Sequence, residues 1–502
     1  VKDVVEHYRK AAAHRELYKT LFQDCYDYAI PYREGFDDRA PGQRNDHLIF
    51  DETAVVGTQE FASRLQAGIV PTFARWSELT AGSEVPPDQR EEVNAQLAEV
   101  TDYVFEVLDN SNFAQEVHES FIDLAVGTGT LKIEEGTASS PVIFSAVPLP
   151  RVVLDTGPDD KVDTIFLLRP KVKYEDLPIL YPDGNIPVMG DKECDVIEAV
   201  RRDYADRNDE RYTISAHILE TGHEIYSDEV SGIGSNPLIV YRWATCAGER
   251  YGRGPLTHAL SAIKTTNLTV QLILENAQMA ISGVYQYDAD GVINPETIQL
   301  VPGTLIPVAP GSRGVVPLQN GSDFNVSQLI LGDQRMNIKR ALFNDMLGDP
   351  DKTPATATEV AERMADLYRR IGSSFGRLQV ELVHPVLQRV IYILKKQGRI
   401  QVPSVNGREV KIKAVSPLAQ AQANQDIASI SRWMQTVGQT FGPEMLNLLV
   451  SGEVVAAHLA QKFGVPQDLL RSDIERRQIA AAMQQQAQAI AQQQQPSAPQ
   501  PV

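Results

Sequence analysis

RGPLTHALSAIKTTNLTVQLILENAQMAIS, residues 253–282, is the stretch on which the fold turns. Pro255 follows Arg253-Gly254, at the point where a helix accepts proline as its first residue, because that amide has no intrahelical partner anyway. Leu256, Leu260, Ile263, Val270 and Leu274 then keep helical spacing. The spacing predicts one helix over 255–282, roughly 40 Å long at ~1.5 Å per residue. Residues 283–325 break the pattern with five prolines (295, 302, 307, 310, 317) and six glycines (283, 291, 303, 311, 314, 321). Short strands fit between them, at 299–301 and 304–308. A second helix is predicted over about 326–344. Two long helices around a compact insert suit an antiparallel pair that projects the insert away from the body.

Upstream, residues 1–31 read as a helix, with Val5, Tyr8, Ala12, Leu17 and Leu21 near a 3.6 period. A polar loop over 32–50 leads to a helix over 52–68 with Asp51 as its cap. A third helix runs from the Pro86-Pro87-Asp88 turn to about 108. A fourth runs to about 126, with Ser111 or Asn112 as its expected cap. After Gly129 the segments become short and rich in β-branched and aromatic residues. They lie near 130–134, 142–148, 152–154, 164–169, 197–202, 212–219, 224–228 and 238–243, with turn residues between them, and predict a largely antiparallel β region. Helices followed by strands make the fold class α+β.

Downstream of the second long helix lies a polar loop over 345–355. It ends in Thr356-Ala-Thr-Glu359, a capping-box pattern. From Val360 to Ile393 ten apolar residues step by three or four, which predicts the longest helix of the chain. Pro385 interrupts it and is expected to kink it. Residues 399–413 read as a short hairpin around Asn406-Gly407. Residues 416–482 are helical in pattern, and the end from Gln484 is rich in glutamine and alanine and reads as a tail.

The chain has 502 residues, 47 Lys plus Arg and 66 Asp plus Glu, a formal charge of −19. That balance excludes tight coating of nucleic acid over the whole surface, which needs a local excess of cations to neutralise phosphates. A local basic lining stays open. Over 326–402 twelve cations face eight acids, a net of +4. Cys25, Cys194 and Cys246 are isolated in sequence, so neither a zinc cluster nor a disulfide framework is signalled. No apolar run approaches the ~18 residues of a membrane span, and no membrane partner is expected.

Motifs for chemistry fail on inspection. Gly127-Thr-Gly-Thr-Leu-Lys132 lacks the Gly-Lys-Ser/Thr of a phosphate loop and reads as a helix end turning into a strand. Asp288-Ala-Asp290-Gly291 and Asp349-Pro-Asp351 lack the glycine and glutamate of a calcium loop. There is no His-Glu-x-x-His pair and no nucleophile elbow. No catalytic residue, metal or cofactor is expected.

The order of elements resembles the portal protein, or head-to-tail connector, of short-tailed bacteriophages. The likeness rests on Ser111-Asn-Phe113 with Asp123-Leu-Ala-Val-Gly-Thr-Gly-Thr-Leu131, on Tyr241-Arg-Trp243 with Gly248-Glu-Arg-Tyr-Gly-Arg-Gly-Pro255, on Thr356-Ala-Thr-Glu-Val360, and on Ile371-Gly372 with Arg377-Leu-Gln-Val-Glu-Leu382. The resemblance implies a portal-type α+β fold assembled as a ring of twelve subunits at one capsid vertex. Its parts would be an α/β wing (1–254 and 347–415), an antiparallel two-helix stem (255–282 and 326–346), a small α/β clip (283–325), a tunnel loop (345–357), a long kinked helix, a helical crown (416–483) and a glutamine-rich tail (484–502). Double-stranded DNA would pass through without sequence readout. The terminase large subunit, tail adaptor proteins, and the major capsid and scaffolding proteins would be partners, in a virion assembled in the bacterial cytoplasm. Position and charge single out Lys352 on the tunnel loop and Arg335, Lys339 and Arg340 on the stem as DNA-channel cations. Exposed sheet edges in wing and clip would make a lone subunit prone to uncontrolled assembly. The alternatives are a cytosolic enzyme with a scattered site and another viral structural protein such as a tail adaptor.

Overall fold

The structure is a computed structural model. It describes residues 4–344 except 38–42, 44–45, 73, 83–84, 87–88, 159–160, 188–191, 205–209, 283–284, 288–309, 312–314 and 318–323. Beyond these it describes 372, 374–402, 410–414, 417–442, 449–450, 452, 455–456 and 459. The chain divides into two units, Val1–Ser416 and Pro417–Val502.

The first unit opens with four helices: α1 (Val4–Ala29), α2 (Thr53–Ile69), α3 (Arg90–Asp109) and α4 (Phe113–Val126). The cap position of α2 is Glu52; Asp51, expected there, stands one residue ahead, its Oδ1 accepting the Thr53 amide at 3.0 Å. At α4 the cap position is Asn112, and Ser111 just ahead of it accepts the Phe113 amide on its Oγ at 3.1 Å. Asn112 has another task. Its side-chain amide donates to the Phe144 carbonyl at 2.7 Å and its Oδ1 accepts the Phe144 amide at 3.0 Å, so it pairs like a strand residue.

Nine strands follow the order of the sequence: β1 (Ser77–Ala81), then β2 (Thr128–Glu135), β3 (Val142–Ala146), β4 (Val152–Thr156), β5 (Val162–Lys173), β6 (Glu193–Asp203), β7 (Arg211–Ile218), β8 (Glu224–Ser231) and β9 (Leu238–Arg242). The eight strands β2 to β9 make a three-stranded sheet, β3-β2-β9, and a five-stranded sheet, β4-β5-β6-β7-β8, with every pairing antiparallel. The eight expected strands are all present. The period of two sorts their residues. Val153, Phe166, Ile197 and Ala199 take Val4, Tyr8 and Ala11 of α1 on one face of the large sheet. Val196, Ala216, Ile218 and Ile225 pack with Tyr174 and with Leu177 of the short helix α5 (Leu177–Leu180) in a second cluster. Each fully buried side chain of that size contributes about 1.5–3 kcal/mol.

Gly127 ends α4 with φ +152°, and a Cβ there would lie 2.1 Å from the Gly252 carbonyl oxygen. Gly252 and Gly254 are equally confined, by the carbonyls of Gly127 and Ala125 at 2.0 and 2.1 Å from a Cβ. The two glycine motifs of the sequence are therefore one structural feature: two backbones crossing without room for a methyl group. The crossing feeds directly into α6 (Pro255–Ser282), whose bounds match the expectation.

Three sheet edges are closed by side chains. Asn112 and Glu116 hold β3, the latter through the Ala146 amide at 2.7 Å. The Tyr251 hydroxyl accepts the Leu154 amide of β4 at 3.0 Å, and Arg15 donates to the Pro150 and Val152 carbonyls. Glu381 accepts the Arg242 amide of β9 at 2.9 Å. The expectation of exposed edges is corrected for these three.

After α6, β10 (Tyr285–Tyr287) and β11 (Val315–Pro317) pair antiparallel at the base of the insert, and α7 spans Phe324–Ala341. The strands expected at 299–301 and 304–308 and the loop 345–355 lie outside the described residues. Of the long helix, 374–396 is described. The expected kink takes the form of a π-turn, Gln379–Val383, running straight into α8 (His384–Lys396). Pro385 has no amide to donate to the carbonyl four residues back, and the wider turn just before it accommodates that loss.

The turn of the hairpin expected over 399–413, with Asn406-Gly407, lies outside the described residues. Residues 399–402 are not strand. β12 (Val410–Ala414) instead pairs with β1, setting Glu78 opposite Lys413 and Leu79 opposite Ile412. In the second unit α9 covers Pro417–Phe441. The part of the helical region expected over 416–482 that lies beyond 459, and the tail, lie outside the described residues.

Candidate functional site

The candidate site is the α6/α7 pair and its root on α2. The helices pack together. Two tie points fix their sense. At one end Tyr285 pairs with Pro317, just past α6 and just before α7. At the other, Asn267 of α6 and Arg335 of α7 both grip Asp51 of the body. Asn267 Oδ1 accepts the Phe50 and Asp51 amides at 2.8 and 3.0 Å. Arg335 donates to Asp51 Oδ2 from Nε at 2.7 Å and Nη2 at 2.6 Å. The pair is antiparallel, as the spacing predicted.

Asp51 is 5% exposed. Burial pushes its carboxyl up, but the hydrogen bonds from Thr53 and Arg335 outweigh burial and hold it below the ordinary carboxylate range. Two further ties bind α2 to the end of α7. The Asn344 side-chain amide donates to the Gly57 carbonyl at 2.8 Å and Arg64 donates to the Phe343 carbonyl at 2.5 Å. Phe343, with φ +59°, sits beside Phe61 and Trp243. Lys264 of α6 pairs with Asp24 of α1 at 2.6 Å. The helices are thus riveted to the body at their roots.

Of the four channel cations expected from sequence, the structure places three. Arg335, Lys339 and Arg340 all lie exposed on α7, and Arg335 is engaged by Asp51. Lys339 and Arg340 occupy the last turn, where positive charge complements the helix dipole. Lys352 lies outside the described residues. Sequence reading missed Asp51, Asn267 and Asn344. Asp51 signalled itself only as a helix cap, and nothing local signalled the other two.

A cleft of about 340 Å³ lies between the two larger sheets, lined in part by Lys132, Arg151 and Arg169. Each of these cations is neutralised. Lys132 pairs with Glu134 and buried Glu198 at 2.7 and 2.8 Å, Arg169 with Glu198 at 2.7 Å, and Arg151 with Glu34 at 2.6 Å. The cleft is a salt-bridged joint between sheets. Among the described residues no group of His, Cys, Asp and Glu is arranged to hold a metal, and no helix is long and apolar enough to cross a membrane.

A body that roots an antiparallel helix pair carrying an insert is an architecture for presenting that insert, and comparison with known proteins gives it a family. The family model described as "Bacteriophage head to tail connecting protein" matches residues 1–470, and the chain belongs to that family. Among curated proteins it is similar to the "Probable portal protein" of Bordetella phage BPP-1, at 24% identity over 476 residues, covering 86% of this chain and 82% of the relative. It is also similar to the "Portal protein" of Salmonella phage epsilon15, at 22% identity over 477 residues, covering 88% and 84%. A solved structure described as "Neck of empty GTA particle computed with C6 symmetry" aligns over 82% of this chain and 90% of its own, with a TM-score of 0.35 and 14% identity.

Proposed function

We propose that this chain is the portal protein of a short-tailed phage: the subunit of a ring at one capsid vertex, forming the channel for genome packaging and ejection. The observation that carries this is the family match over residues 1–470. The two curated portal relatives, aligned over most of both chains, support it.

On this reading the ring has twelve subunits and lies in the virion. The body 1–254 with 347–415 is the wing, α6 and α7 are the stem, 283–325 is the clip and 416–483 the crown. The terminase large subunit docks on the clip during filling, and tail adaptor proteins take its place afterwards. Major capsid and scaffolding proteins surround the wing. The protein itself catalyses nothing. Double-stranded DNA threads the channel, repelled by a subunit charge of −19 and touched at its backbone by a few cations. Backbone contacts carry no sequence information, as passage of any genome requires. Lys352, Lys339 and Arg340 are the proposed contacts, with Arg335 shared between this role and the Asp51 tie.

Native mass spectrometry and electron microscopy of the purified chain test the reading. Twelve subunits of 55.5 kDa give a ring of 666 kDa with a central hole. A monomer or dimer with no ring at any salt concentration overturns it.

A further inference from the structure

The two larger sheets end at the outer edges of β3, β9, β4 and β8. Those of β3, β4 and β9 are closed by side chains of their own chain. The edge of β8 is not. The Gly232 amide donates to the Glu210 carbonyl at 2.9 Å, and Arg211 stands opposite Ser231. Antiparallel pairs alternate between those that exchange both backbone bonds and those that exchange none. Val230, Asp228 and Tyr226 therefore bond to β7, and the amides and carbonyls of Ser227, Glu229 and Ser231 point outward. Among the described residues nothing pairs with these outward groups, and all three residues are exposed.

This edge takes a chain where one is supplied. Just ahead of Ser227's outward groups, the Ile225 carbonyl accepts the Asn185 amide at 2.8 Å, and the His223 ring donates to the Asn185 carbonyl at 2.9 Å. The segment bends back on itself there, the Gly184 amide returning to the Tyr181 carbonyl at 3.0 Å. The ladder thus stops short of Ser227.

Charge decides what can continue it. Asp228 and Glu229 are both exposed, and as successive strand residues they stand on opposite faces. Asp228 is hydrogen-bonded to the Tyr226 hydroxyl. Glu229 has no ion-pair partner among the described residues. Arg211, at the end of β7, stands opposite Asp203 of β6. A second copy of β8 is a poor occupant. The antiparallel register that pairs Ser227, Glu229 and Ser231 all together sets Glu229 opposite Glu229, and like charges directly opposite destabilise a pair.

We propose that β8 is a docking edge for an extended segment of a separate polypeptide, one that carries two successive cations. Paired antiparallel, it continues the ladder from Ser231 to Ser227, with one cation opposite Glu229 and the next opposite Asp228. Backbone bonds supply the affinity of such strand addition and side chains supply the choice. The site uses no residue of α6, α7 or the proposed DNA contacts, so it stands independently of the ring reading.

The test uses the full chain and a fluorescein-labelled probe peptide, Thr-Val-Lys-Lys-Thr-Val. Fluorescence anisotropy should show saturable binding, and amide hydrogen exchange should slow over 227–231. N-methylation of the first, third and fifth peptide residues, whose amides face β8, should abolish binding. N-methylation of the second, fourth and sixth should leave it intact. Glu229→Lys should weaken it by about fivefold, the scale of one cross-strand charge pair. No saturable binding, equal binding of the two methylated peptides, or binding unchanged by Glu229→Lys overturns the proposal. Particle mass is measured on the same samples. Rings that take up no peptide overturn this inference and leave the portal reading standing; peptide bound by a chain that makes no ring does the reverse.

Discussion

Arg335 and Asp51, 284 residues apart in sequence, form a two-point ion pair in which Nε and Nη2 both donate to Oδ2. The carboxylate is buried and the guanidinium half-exposed. A cation that charge counting assigns to the channel is therefore also a bolt between stem and body.

Arg335→Gln should lower stability by about 1–2 kcal/mol, the scale of a charge-assisted hydrogen bond discounted for an exposed partner. The Asp51 carboxyl lies below its ordinary range when folded, so the pair's contribution is present above the unfolded carboxylate value. It is lost as pH falls through the folded value. Melting curves of wild type and Asp51→Asn should differ at pH 7 and converge in strong acid.

Removing a cation from the α7 tip separates two roles. Lys339→Gln should leave stability within about 0.5 kcal/mol, as exposed substitutions do. In particles, Lys352→Gln, Lys339→Gln and Arg340→Gln should reduce DNA retention with rings intact. Arg335→Gln should reduce retention together with ring stability. Retention and packaging unchanged after charge reversal at all four positions would exclude the proposed contacts.

Asp123 is fully buried, between the Tyr26 hydroxyl at 2.5 Å and Arg33 Nη2 at 3.1 Å. Burial pushes its carboxyl above the ordinary carboxylate range, and Arg33 offsets only part of that. Arg33→Ala leaves that charge uncompensated and should cost about 3–5 kcal/mol at pH 7. The deficit should shrink as pH falls from neutral, because protonation removes the stranded charge. Chemical denaturation at several pH values measures this.

Glycines in two of the sequence motifs should behave oppositely. Gly252→Ala drives a methyl group onto the Gly127 carbonyl, and a loss of at least about 2 kcal/mol is expected. Gly372 is helical with open space around it. Gly372→Ala should be neutral or stabilise by about 0.5–1 kcal/mol. Thermal melts of the two variants decide.

What the sequence revealed followed the range of the forces involved. Helices α1 to α4, α6 and α7 were legible because burial periodicity is local, and so were the strands of the two larger sheets. The partner of β12 was not, because Val410–Ala414 can pair with any suitable edge, and β1 lies more than 300 residues away. The π-turn was half legible: Pro385 announced an interruption, and only the packing around it chose the form. At the site, the cations were legible as charges, whereas the engagement of Arg335 with Asp51 was not, since a charge count does not say which carboxylate is near.

The side-chain closure of sheet edges by Asn112, Glu116, Arg15, Tyr251 and Glu381 bears on how errors are repaired. A backbone ladder between two subunits, once zipped, is slow to undo, and a misjoined pair would be trapped. With those ladders already satisfied within each chain, neighbours meet along those edges through side chains, which let go. On the ring reading, a wrongly seated subunit is expected to leave more readily before the circle closes.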